Sequence, residues 1–234
     1  MHIRVGLENG DENRAVAWAL DYPGCFAYGA EPAEALVQAA LAFLAYRSWI
    51  RGKGGLPGLP DDREVDIKLV ETWQVYWIDE NYDEGAGKPY AVNAWFHDDW
   101  KPVTRAERLR AEKLLQWSRE DLLAAIEGLD EAELDAERPG ERWSIRGIVK
   151  HVGGAEWWYL DRLGLAGIKH SEVPGDMLER LDVVRTRLLQ ILPDLEGSSQ
   201  VVGIQGEFWS PRKLIRRAIW HELDHAQHIR KLRK

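Results

Sequence analysis

The hydrophobic pattern of the chain changes at Pro102. Beyond it strand signals nearly vanish, and apolar residues recur at helical spacing over 104–129, 144–163, 174–195 and 210–232. The first stretch carries Leu109, Leu115, Leu122 and Ile126 toward an expected interior, and Thr104 with Glu107 has the spacing of a capping box. The second opens on Ser144, the fourth on Ser210-Pro211, a cap followed by proline at the first helical position. Leu178, Leu181, Val184, Leu188 and Ile191 mark the third. Four amphipathic helices of this length bury their apolar faces against one another, so residues 101–234 are expected to form an all-α four-helix bundle. The connection 196–209 is long for a bundle and contains the extended-looking Val201-Val202-Gly203-Ile204, which suggests one crossover.

Residues 1–100 alternate between signals. Strands are expected at 2–7, 15–20 and 25–28, the first two joined across the polar run 8–13. A helix over 31–50 follows, with Leu36, Ala40, Phe43 and Leu44 at helical spacing and Pro32 near its start. The Gly/Pro-rich 52–60 is a loop. Residues 65–78 are rich in β-branched and aromatic types, and 90–96 is their expected hairpin partner across 81–88. This half reads as an α+β domain, a small sheet with one long helix.

Composition excludes several classes. Cys25 is the only cysteine, so no intramolecular disulfide or Cys-rich zinc site can form, and a metal must use His, Asp or Glu. Residues 1–100 hold 8 Lys+Arg against 17 Asp+Glu, which argues against nucleic-acid binding there. The basic residues of the last helix are expected to solvate its outer face and offset its dipole. There is no apolar run of membrane-spanning length and no signal-peptide pattern, so a cytoplasmic location is expected, without a membrane partner.

His221 and His225 stand at i,i+4, the spacing by which one helix offers two imidazoles to one ion. His151 lies mid-helix beside Gly147 and Gly153-Gly154-Ala155, small residues that let a neighbour approach. Three imidazoles with an open position suit a divalent ion such as zinc or nickel. The segment His221-Glu222-Leu223-Asp224-His225 also has the form H-E-x-x-H of zinc proteases. The only histidine downstream is His228, and three ligands on one straight helix would spread over about 10 Å, too far for one ion. A metal set completed from another helix is therefore preferred, with Glu222 in a solvated or inter-helix role rather than as a base. Trp158 and Tyr159 are pocket candidates: Trp158 is expected as a core anchor, with a pocket wall as the alternative, and Tyr159, further round the helix, could offer a hydroxyl. Asp224 could orient a ligand imidazole. Arg217 could meet an anionic substrate, although a solvated position is expected of it.

Two resemblances add to this. The run Arg142-Trp143-Ser144-Ile145-Arg146-Gly147-Ile148-Val149-Lys150-His151, then Ala155-Glu156-Trp157-Trp158-Tyr159, together with Trp209-Ser210-Pro211 leading into His221-x-x-x-His225, resembles the DinB-like superfamily over about 104–234. That resemblance implies His151, His221 and His225 as a metal triad. It also implies thiol-dependent transfer, or related hydrolysis, on a small electrophilic substrate, with a low-molecular-weight thiol as partner and a homodimer. The run Asp21-Tyr22-Pro23-Gly24-Cys25-Phe26-Ala27-Tyr28-Gly29, followed by Glu34-Ala35, resembles the HicB-like antitoxin fold over about 1–75. No DNA-binding segment accompanies it. The alternative it opens is a non-catalytic, stress-associated metal-binding module whose acidic N-terminal domain binds a protein partner.

Overall fold

The computed structural model of the chain describes residues 1–62, 64–78 and 90–233. Contacts divide them into two units: Met1–Lys101 with Val201–Lys213, and Pro102–Gln200 with Leu214–Lys234.

In the first unit, β1 (His2–Asp11), β2 (Arg14–Ala19) and β3 (Phe26–Gly29) form an antiparallel meander. Helix α1 (Pro32–Gly52) follows, and β4 (Asp66–Gln74) then joins β1 in parallel, giving the order β3-β2-β1-β4. The sheet with one long helix agrees with the expected α+β layout. Strand β1 runs four residues beyond its expected end. Its polar Glu8 is fully buried and accepts hydrogen bonds from the Trp18 indole (2.8 Å) and the Ala94 amide (2.7 Å), so polarity there does not mark a loop. The turn is only Glu12-Asn13, both at positive φ, the geometry that suits the twist of a two-residue hairpin. Gly6 leaves room for the Phe96 ring, which lies 2.6 Å from where a Cβ would sit.

The expected strand 65–78 is broken at Val75: β4 ends at Gln74, and β5 (Tyr76–Ile78) pairs instead with β6 (Tyr90–Val92). The connection 81–88 proposed for that hairpin lies outside the described residues. The extended segment 201–204 is one arm of a hairpin, β7 (Val202–Ile204) with β8 (Glu207–Trp209), closed by Gln205-Gly206 at positive φ. Fully buried Lys213 donates to Glu207 (2.5 Å) and to the Phe208 carbonyl (3.1 Å), and its Nζ lies 4.6 Å from the Trp209 ring centroid.

The second unit is helical: α2 (Arg105–Ile126), the short α3 (Glu131–Asp135), α4 (Ile145–Arg162), α5 (Met177–Ile191) and most of α6 (Pro211–Leu232). Thr104 and Glu107 form the expected capping box, and Ser144 accepts from the Gly147 amide at 3.2 Å. α5 starts three residues later than expected because Asp176, not the Pro174 region, caps it through the amides of Leu178 and Glu179. The buried stripe of α5 is Met177, Leu181, Val184, Arg185, Leu188 and Ile191, so Leu178 is exposed; Leu109 on α2 is exposed as well. A core formed by Leu122, Ile145, Ile148, Val149, Val152, Leu181, Ala226 and Ile229 joins α2, α4, α5 and α6. No helix among the described residues is long and apolar enough to cross a membrane.

Candidate metal centre

α6 turns His221 and His225 to one face, and α4 brings His151 to meet them. The Nε2 atoms of His151 and His221 are 3.1 Å apart, as are those of His221 and His225. One nitrogen from each ring lies within 4.8 Å of the others. His221 is buried and the other two are half-buried. A neutral imidazole carries one N–H and one lone pair. With the proton on Nδ1, each ring has a lone pair on Nε2 to offer an ion. Metal–nitrogen bonds of about 2.0–2.1 Å in tetrahedral array put ligand nitrogens about 3.3 Å apart, close to the observed spacing. The donor set fits a divalent ion.

The surroundings disfavour protonation of His151 and His221. Burial, with Arg142 nearby, lowers the His151 pKa to about 4. Burial, then the neighbouring His225 and His151 and the cation of Arg217, takes His221 well below its ordinary value. Neutral imidazole is the form that ligates metal.

Packing fixes the His151 ring. Trp143, just before α4, folds back so that its indole stacks on that imidazole at 4.5 Å and 27°. Gly147 permits this, since a Cβ there would lie 2.9 Å from the Trp143 Cβ. Arg142 in turn covers the indole at 4.4 Å. Gly153 admits Arg180 of α5, whose Cγ would lie 2.8 Å from an added Cβ. The small residues flanking His151 therefore serve a tryptophan and a neighbouring helix.

The other candidates are distributed unevenly. Tyr159 is buried, its ring 6.0 Å from that of His221. Arg217 is buried rather than solvated, its guanidinium 4.4 Å over the Trp220 ring and 6.0 Å from that of Tyr159. The expectation of a solvated Arg217 fails because one turn before His221 lies the inner side of α6. Trp158 packs edge-on against Tyr159 at 5.7 Å and under Arg162 at 4.7 Å. Asp224 is half-buried on α6. His228 Nε2 lies 3.0 Å from a carboxylate oxygen of Glu141, and its ring is 6.2 Å from that of His225.

Glu222 lies about 100° round α6 from His221 and is fully buried. It accepts from Ser118, from Arg119 at 2.5 Å and from Arg185 at 2.7 Å. Arg185 also grips Glu156 through two bonds of 2.8 and 2.7 Å. Burial alone would raise the Glu222 pKa, but Arg185 and Arg119 outweigh it and lower it. One neutral cluster of two arginines and two glutamates thus draws on α2, α4, α5 and α6. With its carboxylate so engaged, Glu222 has the inter-helix role, not that of a metalloprotease base. Sequence reading missed Ser118, Arg119 and Arg185, whose only signal is an arginine or serine on an otherwise apolar face.

Cys25 is buried in the first unit, and burial pushes its thiol pKa up, so it is a poor nucleophile. A cleft of about 400 Å³ along α4 and α5 is lined by Trp157, Asp182, Thr186 and Arg187 among others, and by none of the three histidines.

The sequence model of the DinB superfamily matches residues 114–229, which include all three histidines, and this helical part of the chain is DinB-like. No curated protein and no solved structure matches the chain.

Proposed function

We propose that the C-terminal helical unit is a DinB-type four-helix bundle in which His151, His221 and His225 hold a divalent ion, zinc or nickel. We further propose that it serves an enzyme transferring a low-molecular-weight thiol to a small electrophile, or hydrolysing one. The observation that carries this is the convergence of three Nε2 atoms, two pairs of them 3.1 Å apart, from two helices. A bound ion supplies Lewis acidity, which lowers the pKa of a thiol or water that joins it. The chain's own residues do the rest. Burial keeps the His151 and His221 imidazoles unprotonated, Trp143 holds the His151 ring in place, and the cation of Arg217 behind His221 favours negative charge at the site.

The test uses protein purified without an affinity tag. Expected are about one ion per chain, its loss in each of His151→Ala, His221→Ala and His225→Ala, and thiol-dependent consumption of an electrophile that disappears with the ion. Activity unaffected by His151→Ala would sink the enzymatic reading.

A second reading has support in the excess of acidic residues over 1–100, with 17 Asp+Glu against 8 Lys+Arg. In it the ion is structural and the N-terminal unit, read as HicB-like, binds a basic protein partner. Stability that falls on chelation, without thiol chemistry in the metal-loaded protein, favours that reading.

A further inference from the structure

We propose that the outer face of α1 is a self-complementary surface on which two copies of the chain pair antiparallel. α1 buries Ala35, Ala39, Phe43, Tyr46 and Ile50 in its own unit. On the opposite side Glu34, Val37, Leu41, Leu44, Ser48 and Arg51 recur at alternating steps of three and four, the spacing of a coiled-coil seam. Val37 is 70% exposed and Leu41 60%, the two most exposed large hydrophobic side chains among the described residues. From Ala35 to Tyr46 the helix has no charged residue. A water-facing helix surface ordinarily carries charge along its length.

The charges stand at the ends of the seam and have opposite sign, and this selects the occupant. A two-fold axis between Leu41 and Leu44 sets Leu41 against Leu44 of the second copy, Val37 against Ser48, and Glu34 against Arg51. The parallel alternative would stack Glu34 on Glu34 and Arg51 on Arg51. Antiparallel pairing also opposes the two helix dipoles. Within the chain Glu34 accepts from the Ala30 amide at 2.7 Å and Arg51 pairs with Asp61. A carboxylate and a guanidinium each have sites to spare beyond one such bond. The seam is about 26 Å long. One helix pair of that length stands at the small end of stable interfaces, so micromolar affinity is expected.

Sedimentation equilibrium of the full chain from about 1 to 200 µM tests this. The mass is expected to rise toward twice the 26.8 kDa of one chain. Leu41→Glu, which places two carboxylates in the central layer, is expected to weaken pairing at least about 100-fold. Its helical circular dichroism should be unchanged, since the residue is exposed. Arg51→Glu should weaken pairing too, and Glu34→Lys with Arg51→Glu should recover it. A wild-type chain that stays at monomer mass throughout overturns the proposal, as does a dimer that neither Leu41→Glu nor Arg51→Glu weakens.

Discussion

The Trp143 indole stacks on the His151 imidazole with 4.5 Å between ring centroids. The ring that comes alone from α4 is thereby oriented by packing, whereas His221 and His225 share the rigidity of one helix. Trp143→Ala should lower metal affinity by about 10- to 100-fold, the usual effect of losing a group that orients a ligand. Gly147→Ala should act in the same direction by displacing the indole. Competition with a chromophoric chelator measures both.

The cluster around Arg185 should show in stability. Arg185→Leu leaves Glu156 and Glu222 buried with Arg119 alone, and breaking such a cluster costs about 3–5 kcal/mol. Urea denaturation of the metal-free protein gives the value. A loss below about 1 kcal/mol would mean the pairs are open to water.

Acid should destabilise the metal-free protein through the histidines. His151 titrates near 4 when folded, against 6.5 for the ordinary side chain, so between these values the unfolded chain binds the extra proton. The stability it contributes is complete above pH 6.5 and is lost as pH falls through about 4. His221 acts in the same sense. Stability measured between pH 7 and pH 4 should therefore fall less steeply in His151→Gln than in the wild type.

Lys213 and Glu207 are both fully buried in the first unit. Lys213→Met alone strands a carboxylate and should cost about 3–5 kcal/mol, while Lys213→Met with Glu207→Leu should regain much of that. A double-mutant cycle on thermal melting separates the two outcomes.

Much of this architecture is legible in the sequence, for identifiable reasons. The caps at Thr104, Ser144 and Ser210 are local chemistry, and the His221/His225 pair follows from helical geometry alone. Leu109 and Leu178 show the limit of reading apolar letters: Leu178 lies one step off the buried stripe of α5, and Leu109 lies across the helix from that of α2. Arg185 and Glu222 were harder still. A buried charge looks like a surface charge until its partners, distant in sequence, are placed beside it. The break at Val75 had no local signal either, because pairing partners rather than β-propensity end β4 there.

The β7–β8 hairpin bears on the order in which the chain can fold during synthesis. The first unit includes Val201–Lys213, so its last pieces are made after α2, α4 and α5. Domains usually fold as they emerge, the amino-terminal one first. Here Trp209 and Lys213, both buried in that unit, arrive after most of the second unit has been translated. The amino-terminal unit is thus begun first yet finished late. A ribosome paused anywhere before Val201 holds an amino-terminal unit still waiting for its final hairpin.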